Sequence, residues 1–156
     1  MIQGALRRLL PAAACLGLTT TARADMPMLT VYTLNCSGCH GAQGRGVPEV
    51  EIPDLHDAGL FVRNQLGREY LIQVPGLAQS RLDDATAARL LNWILQRFSA
   101  DRLPADFAPY TAQEVTRSRP DKASDAKTRR DAILAEMRRR GLLDASYTDQ
   151  RPVAAR

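Results

Sequence analysis

The sequence predicts an all-α fold, and three observations carry that expectation. An apolar stripe at helical spacing runs from Asp83 to Phe98. Two further helical patterns with start and stop signals occupy the last third of the chain. Strand signals are weak throughout, with no sustained alternation of apolar and polar residues.

The elements follow in chain order. Arg7 and Arg8 precede a short apolar run from Leu9 to Leu18, and Ala22-Arg23-Ala24 supplies a small-residue cleavage site. Basic, apolar and A-x-A regions in that order predict a secretory signal peptide over residues 1–24, with the mature chain beginning at Asp25. The apolar run is far short of the roughly twenty residues of a spanning helix, so a chain that does not cross the membrane is expected. A lipid-carrying Cys15 is disfavoured because Ala12-Ala13-Ala14 lacks leucine three residues upstream. Leu29 to Asn35 reads as a short helix, with Leu29, Tyr32 and Cys36 at helical spacing. Gly41, Gly44 and Gly46 then form a stretch read as flexible.

Gly67 to Val74 reads as another short helix, ended by Pro75-Gly76. In the Asp83–Phe98 helix, Asp83 is a good N-cap and Asp84 adds favourable charge to the first turn. Its stripe is Ala87, Leu90, Leu91, Ile94, Leu95 and Phe98, with Trp93 beside it. Thr111 and Glu114 fit a capping box opening a short helix that Pro120 ends. Ser124 to Arg140 reads as a last helix with Ile133, Leu134 and Met137 inward and Gly141 at its C-terminal cap. Arg138-Arg139-Arg140 reads as a solvated helix end whose cations suit the dipole. Alone these two helices bury too little to be stable, so they are expected to pack on the rest.

The residues richest in chemistry are Cys36-Ser37-Gly38-Cys39-His40, a C-x-x-C-H motif. Two cysteines at this spacing suit thioether bonds to the two vinyl groups of one haem. The histidine directly after them then ligates the iron from one face. Zinc would need four ligands, and beyond these three the chain offers only Cys15, in the expected leader, and His56. A thioredoxin-like pair would sit in a βαβ pattern, which is missing, and a plain disulfide leaves His40 unexplained. Haem c, one per chain and covalent, is therefore the expected cofactor. Export agrees: removing the leader leaves two cysteines, both used.

Charge excludes one class of partner. Without Arg7, Arg8 and Arg23 the chain holds 18 basic against 17 acidic residues. Residues 25–100 hold 6 basic and 8 acidic side chains, and residues 101–156 hold 12 and 9. Nucleic-acid binding wants a concentrated basic face, so no nucleic acid is expected. The basic tail leaves room to steer an acidic protein partner.

Over roughly residues 28–98 the chain resembles the class I cytochrome c family. The family has an N-terminal helix, the C-x-x-C-H turn, a proline-containing loop, and a C-terminal helix with an aromatic at a fixed place. Pro53-Asp54-Leu55 resembles its Pro-x-Leu loop, and Trp93 falls at its aromatic position. The resemblance implies that the Pro53 carbonyl accepts a hydrogen bond from axial His40, fixing the ring and raising its basicity. It also implies a small cytochrome c-like helical fold around the haem over residues 25–100, with residues 101–156 as a helical extension outside the resemblance.

One departure concerns the second axial ligand. The family usually supplies methionine in a Met-Pro step before the last helix. Here that step reads Gln73-Val74-Pro75-Gly76, and valine has no lone pair for iron. His56 follows the loop on the proximal side and reads as a surface histidine. Met137 reads as packing. Met26 and Met28 lie near the new N-terminus, and Gln73 and Gln79 are weak ligands. Five-coordinate or water-bound iron is the further option, so the sixth ligand stays open.

The functional expectation is a periplasmic monohaem electron carrier, not an enzyme, because no acid–base cluster is evident. Its expected partner is a periplasmic redox protein, either a dehydrogenase of which it is partner or subunit, or a terminal acceptor. The alternative is a haem protein with an open distal site that binds a small ligand in a sensor or accessory role.

Overall fold

The computed structural model describes residues 26–121, 125–144 and 147. The expected leader lies outside the described residues. Among them the regular structure is helical, and the only pairing of extended backbone is an isolated bridge between Val47 and Ile52.

Helix α1 (Met28–Asn35) begins after Pro27 and ends at Cys36, whose N–H donates to the Tyr32 carbonyl at 2.8 Å. Its inward residues are Val31 and Tyr32, while Leu29 is 60% exposed. The Leu29–Tyr32–Cys36 spacing thus holds for buried Tyr32 and half-buried Cys36 but not for Leu29, which faces outward. Helix α2 (Ser37–His40) is a single turn closed by Gly41 at φ 71°. Two short 3-10 turns, Pro48–Val50 and Leu55–Asp57, carry the chain to α3 (Ala58–Phe61).

Asn64 caps α4 (Gln65–Gln73) by accepting from the Gly67 N–H at 2.8 Å. A side chain at Gly67 would lie 2.2 Å from the Phe61 carbonyl oxygen, so glycine permits the close α3–α4 crossing. Pro75 has two roles. It stops α4 at Gln73, as the sequence suggested, and it also opens a further single turn, α5 (Pro75–Ala78).

Helix α6 (Asp84–Phe98) is capped by Asp83, which accepts from the Thr86 N–H at 2.8 Å. It buries the predicted stripe and Ala88 as well. With Val31, Tyr32, Ile72 and Leu77 it forms the main core, against which Trp93 packs. The last third is part of this structure. Helix α7 (Ala112–Ser118) opens with the complete Thr111–Glu114 capping box, and Tyr110 and Val115 enter the main core.

Helix α8 (Ala126–Arg139) is slightly shorter than predicted, with Asp125 as its N-cap. It ends in a Schellman turn: Gly141 at φ 66° donates to Arg138, and Leu142 donates to the Met137 carbonyl. Its Ile133, Leu134 and Met137 build a second core with Leu60, Phe61 and Tyr70. Each of those three side chains contributes roughly 1.5–3 kcal/mol by leaving water, which is what holds a helix this polar in place. Among the described residues no helix is long and apolar enough to cross a membrane.

Candidate functional site

The last turn of α1 delivers Cys36, and the single turn of α2 carries Cys39 and His40. Both thiols are unpaired; Cys36 is half-buried and Cys39 exposed. Burial, and then the neighbouring Cys39, push the Cys36 thiol up to about 11, so it stays protonated at neutral pH. Nothing here makes it a reactive thiolate or a thiolate metal ligand.

His40 is positioned by the loop that follows it. Its Nδ1–H donates to the Pro53 carbonyl at 3.0 Å, which assigns the proton to Nδ1 and leaves the Nε2 lone pair free. Burial lowers the pKa of His40, with the Pro53 bond and the Asp54 charge acting against it, so the ring is neutral. Four backbone bonds shape the loop: Gly46 N–H to His40 carbonyl, Leu55 N–H to Gly44 carbonyl, and a reciprocal pair between Val47 and Ile52. At Gly46, φ is 68°, and a Cβ would lie 2.2 Å from the Ile52 oxygen and 2.5 Å from the Pro53 oxygen. The glycine run is therefore not a flexible stretch. It is a fixed turn in which Gly46 brings backbone onto the carbonyl that holds His40.

Aromatic rings brace this turn from the main core. The Tyr32 hydroxyl donates to the Gly41 carbonyl at 2.6 Å. The Tyr32, Trp93 and Phe98 rings lie 5.2 to 5.8 Å apart, and Gly44 sits against Phe98. Trp93 joins the brace through its contacts with both Tyr32 and Phe98. His56, expected as a surface histidine, is half-buried instead. Its Nδ1 and its backbone N–H both meet Asp54 Oδ1, and its ring lies 5.7 Å from that of Phe98.

The other candidates for the second axial position are dispersed. Val74 is half-buried between the two cores at the α4–α5 junction. Gln73 is buried and lines a cavity of about 380 Å³ together with Arg68, Glu69, Glu114 and Arg117. Gln79 is exposed. Met137 is wholly buried in the second core, Met28 packs on the main core, and Met26 is exposed.

The donor set fits a covalently held haem: two free thiols a helical turn apart, and an imidazole with Nδ1 occupied and Nε2 available. It fits a metal ion poorly, because among the described residues no three His, Cys, Asp or Glu side chains converge. The Tyr32 hydroxyl and Asp54 are site residues that sequence reasoning did not single out, and Gly46 was read only as part of a flexible stretch. Only Gly46 had a local signal, its place within the glycine run.

No family model matches the chain. A cytochrome c-552 of Thermus thermophilus is 28% identical over 155 residues, covering 88% of this chain and 99% of that one. A second cytochrome c-552 of the same species is 28% identical over 125 residues, covering 69% of this chain and 92% of its own. The first match leaves too little of the chain unaligned to exclude residues 101–156, so the likeness extends into the helical extension, beyond the stretch read from the motifs.

Proposed function

We propose that this chain, a c-type cytochrome and electron carrier, holds one haem c covalently and exchanges single electrons in the periplasm. In this reading residues 25–100 are the haem domain and 101–156 an extension. The partner is a periplasmic redox protein: a dehydrogenase, with this chain as partner or subunit, or a terminal acceptor. The observation that carries the reading is the His40 Nδ1–H bond to Pro53, which prepares Nε2 for iron before any cofactor arrives.

Each residue has a definite task. The Cys36 and Cys39 thiols would hold the haem through thioether bonds to its two vinyl groups, an addition that would need no oxidant. His40 would ligate the iron through Nε2. Pro53 keeps its ring oriented and its nitrogen basic, and the Tyr32 hydroxyl fixes the Gly41 backbone just beyond it. Bound haem c supplies an iron centre that changes by one electron. The aromatic cluster of Tyr32, Trp93 and Phe98 makes the turn rigid, which limits the rearrangement accompanying that change.

A potentiometric titration of the purified protein tests this. One haem per chain and a single one-electron transition are expected. A chain that carries no haem, or one whose haem does not change oxidation state reversibly, contradicts it. Val74 favours a second reading, in which the distal face is open to a small exogenous ligand. Rapid carbon monoxide binding by the reduced protein, without prior loss of a ligand, supports that reading over simple electron transfer.

A further inference from the structure

The turn that follows Pro53 is tied to the end of α6 through three side chains. Asp54 caps the 3-10 turn Leu55–Asp57: its Oδ1 accepts from the His56 N–H at 2.8 Å and also meets Nδ1 of the His56 ring. The His56 carbonyl accepts from the Ser99 hydroxyl at 2.7 Å, and Ser99 Oγ accepts from the Gly59 N–H at 2.7 Å. Ser99 directly follows α6 and is fully buried. The His56 ring lies 5.7 Å from that of Phe98, the last residue of α6. A continuous path of bonds therefore runs from the core through Ser99, His56 and Asp54. It ends at the peptide whose carbonyl accepts the His40 Nδ1–H.

The chemistry explains why an acid stands at position 54. A 3-10 turn of three residues has little stability of its own, and its first N–H groups have no partner within it. A carboxylate at the cap satisfies one of them more strongly than a neutral acceptor would. Because the Asp54 side chain grips the chain two residues on, the peptide joining Pro53 to Asp54 cannot swing freely. The Asp54 side chain is 19% exposed, whereas Arg45, which meets its Oδ2 at 3.4 Å, is 70% exposed and holds it weakly. His56 is therefore the partner that fixes Asp54. Burial lowers the His40 pKa and the Asp54 charge opposes it, so the field of this carboxylate reaches the ring.

We infer that Asp54 is a positioning residue for the haem site: clamped by His56, it holds the Pro53 carbonyl where it accepts from His40 Nδ1 at 3.0 Å. The inference rests on the haem reading above. Gly46 leaves room for the Pro53 carbonyl, and the Asp54–His56 clamp keeps that carbonyl in place. A loosened carbonyl leaves His40 less basic and freer to turn, so ferric iron is less stabilised and the potential rises.

The test compares haem-loaded wild type with Asp54→Ala, Asp54→Asn and Asp125→Ala. Two quantities are measured: exchange of the His40 Nδ1 proton, by NMR of the reduced protein, and the reduction potential. Asp125→Ala is the control because Asp125 caps α8 in the same manner, accepting from the Thr128 N–H at 2.9 Å and from the Thr128 hydroxyl. Asp54→Ala is expected to exchange that proton several-fold faster and to have a higher potential, while Asp125→Ala matches wild type in both. Asp54→Asn keeps an oxygen that accepts from His56, so its exchange should stay near that of wild type. If either change is absent from Asp54→Ala, or both occur equally in Asp125→Ala, the inference fails. Exchange in Asp54→Asn as fast as in Asp54→Ala would assign the effect to charge alone and overturn it as well. If Asp54→Ala does not fold, His56→Phe decides, since it keeps a ring against Phe98 and loses the ring nitrogen on Asp54. Faster exchange there supports the clamp, and unchanged exchange overturns it. A wild-type chain without haem defeats the haem reading itself, whereas a normal wild type with a silent Asp54→Ala defeats only this inference.

Discussion

Replacing Gly46 by alanine strikes the proximal side of the site without touching Cys36, Cys39 or His40. Two costs can be worked from the structure. The residue sits at φ 68°, where an L-side chain costs about 1–2 kcal/mol. The new Cβ would also lie 2.2 Å from the Ile52 oxygen and 2.5 Å from the Pro53 oxygen, both backbone atoms that cannot rotate away. Relieving such an overlap by shifting backbone costs about 1–3 kcal/mol more. Gly141→Ala is the matched control, because Gly141 has φ 66° and nothing within 4 Å of a Cβ. It should lose only the dihedral part, about 1–2 kcal/mol.

The difference between the two variants therefore isolates the contact with Pro53. Denaturant unfolding of the haem-loaded proteins, with unchanged slopes, reads it directly. Pushing the Pro53 oxygen away weakens its bond to His40 Nδ1 and makes the imidazole a poorer donor. A poorer donor stabilises ferric iron less, so the potential of Gly46→Ala should rise while that of Gly141→Ala stays put. Equal stability losses in the two variants, together with equal potentials, would refute the role given to the Gly46–Pro53 contact.

Met137 is wholly buried among Leu60, Phe61 and Tyr70, so Met137→Ala should cost about 2–5 kcal/mol while leaving the haem spectrum intact. Met137→Leu should cost under about 1.5 kcal/mol, and a spectral change in that variant would instead make Met137 an iron ligand. Ser99 is fully buried, donating to the His56 carbonyl and accepting from the Gly59 N–H, so Ser99→Ala should cost about 1–3 kcal/mol by thermal unfolding. Arg68 holds the Glu114 carboxyl below its usual range. Its folded value is thus depressed, and its stabilising contribution is full above the unfolded value of about 4.3 and lost as pH falls through the folded value. The stability gap between wild type and Glu114→Gln should accordingly shrink on acidification below that point; a gap independent of pH would contradict the pairing.

What the sequence made legible was whatever acts over a few residues. The Asp83 cap, the Thr111–Glu114 box and the stop at Gly141 are local chemistry, and the structure has all three. The C-x-x-C-H motif is likewise local, and the Pro53 partner of His40 was reachable through the resemblance. Ties across long separations were not legible. Nothing around Arg119 announces that its side chain will donate to the Ala78 carbonyl, about forty residues earlier. Asp54 as the partner of His56 was missed because an acid two residues away has many possible uses. Leu29 misled because an eight-residue helix has too few turns for spacing to fix its inward face. Pro75 was read only as a breaker, although proline is equally suited to a first helical turn.

The central claim is that Cys36, Cys39 and His40 hold one haem. Acid–acetone extraction of the denatured protein, followed by the pyridine haemochrome spectrum of the residue, tests it most directly. The account predicts haem that stays with the polypeptide and gives a c-type spectrum, lost from the polypeptide in a Cys36→Ala/Cys39→Ala double variant. Haem that extracts freely from the wild type, or that stays covalently bound in the double variant, would contradict it.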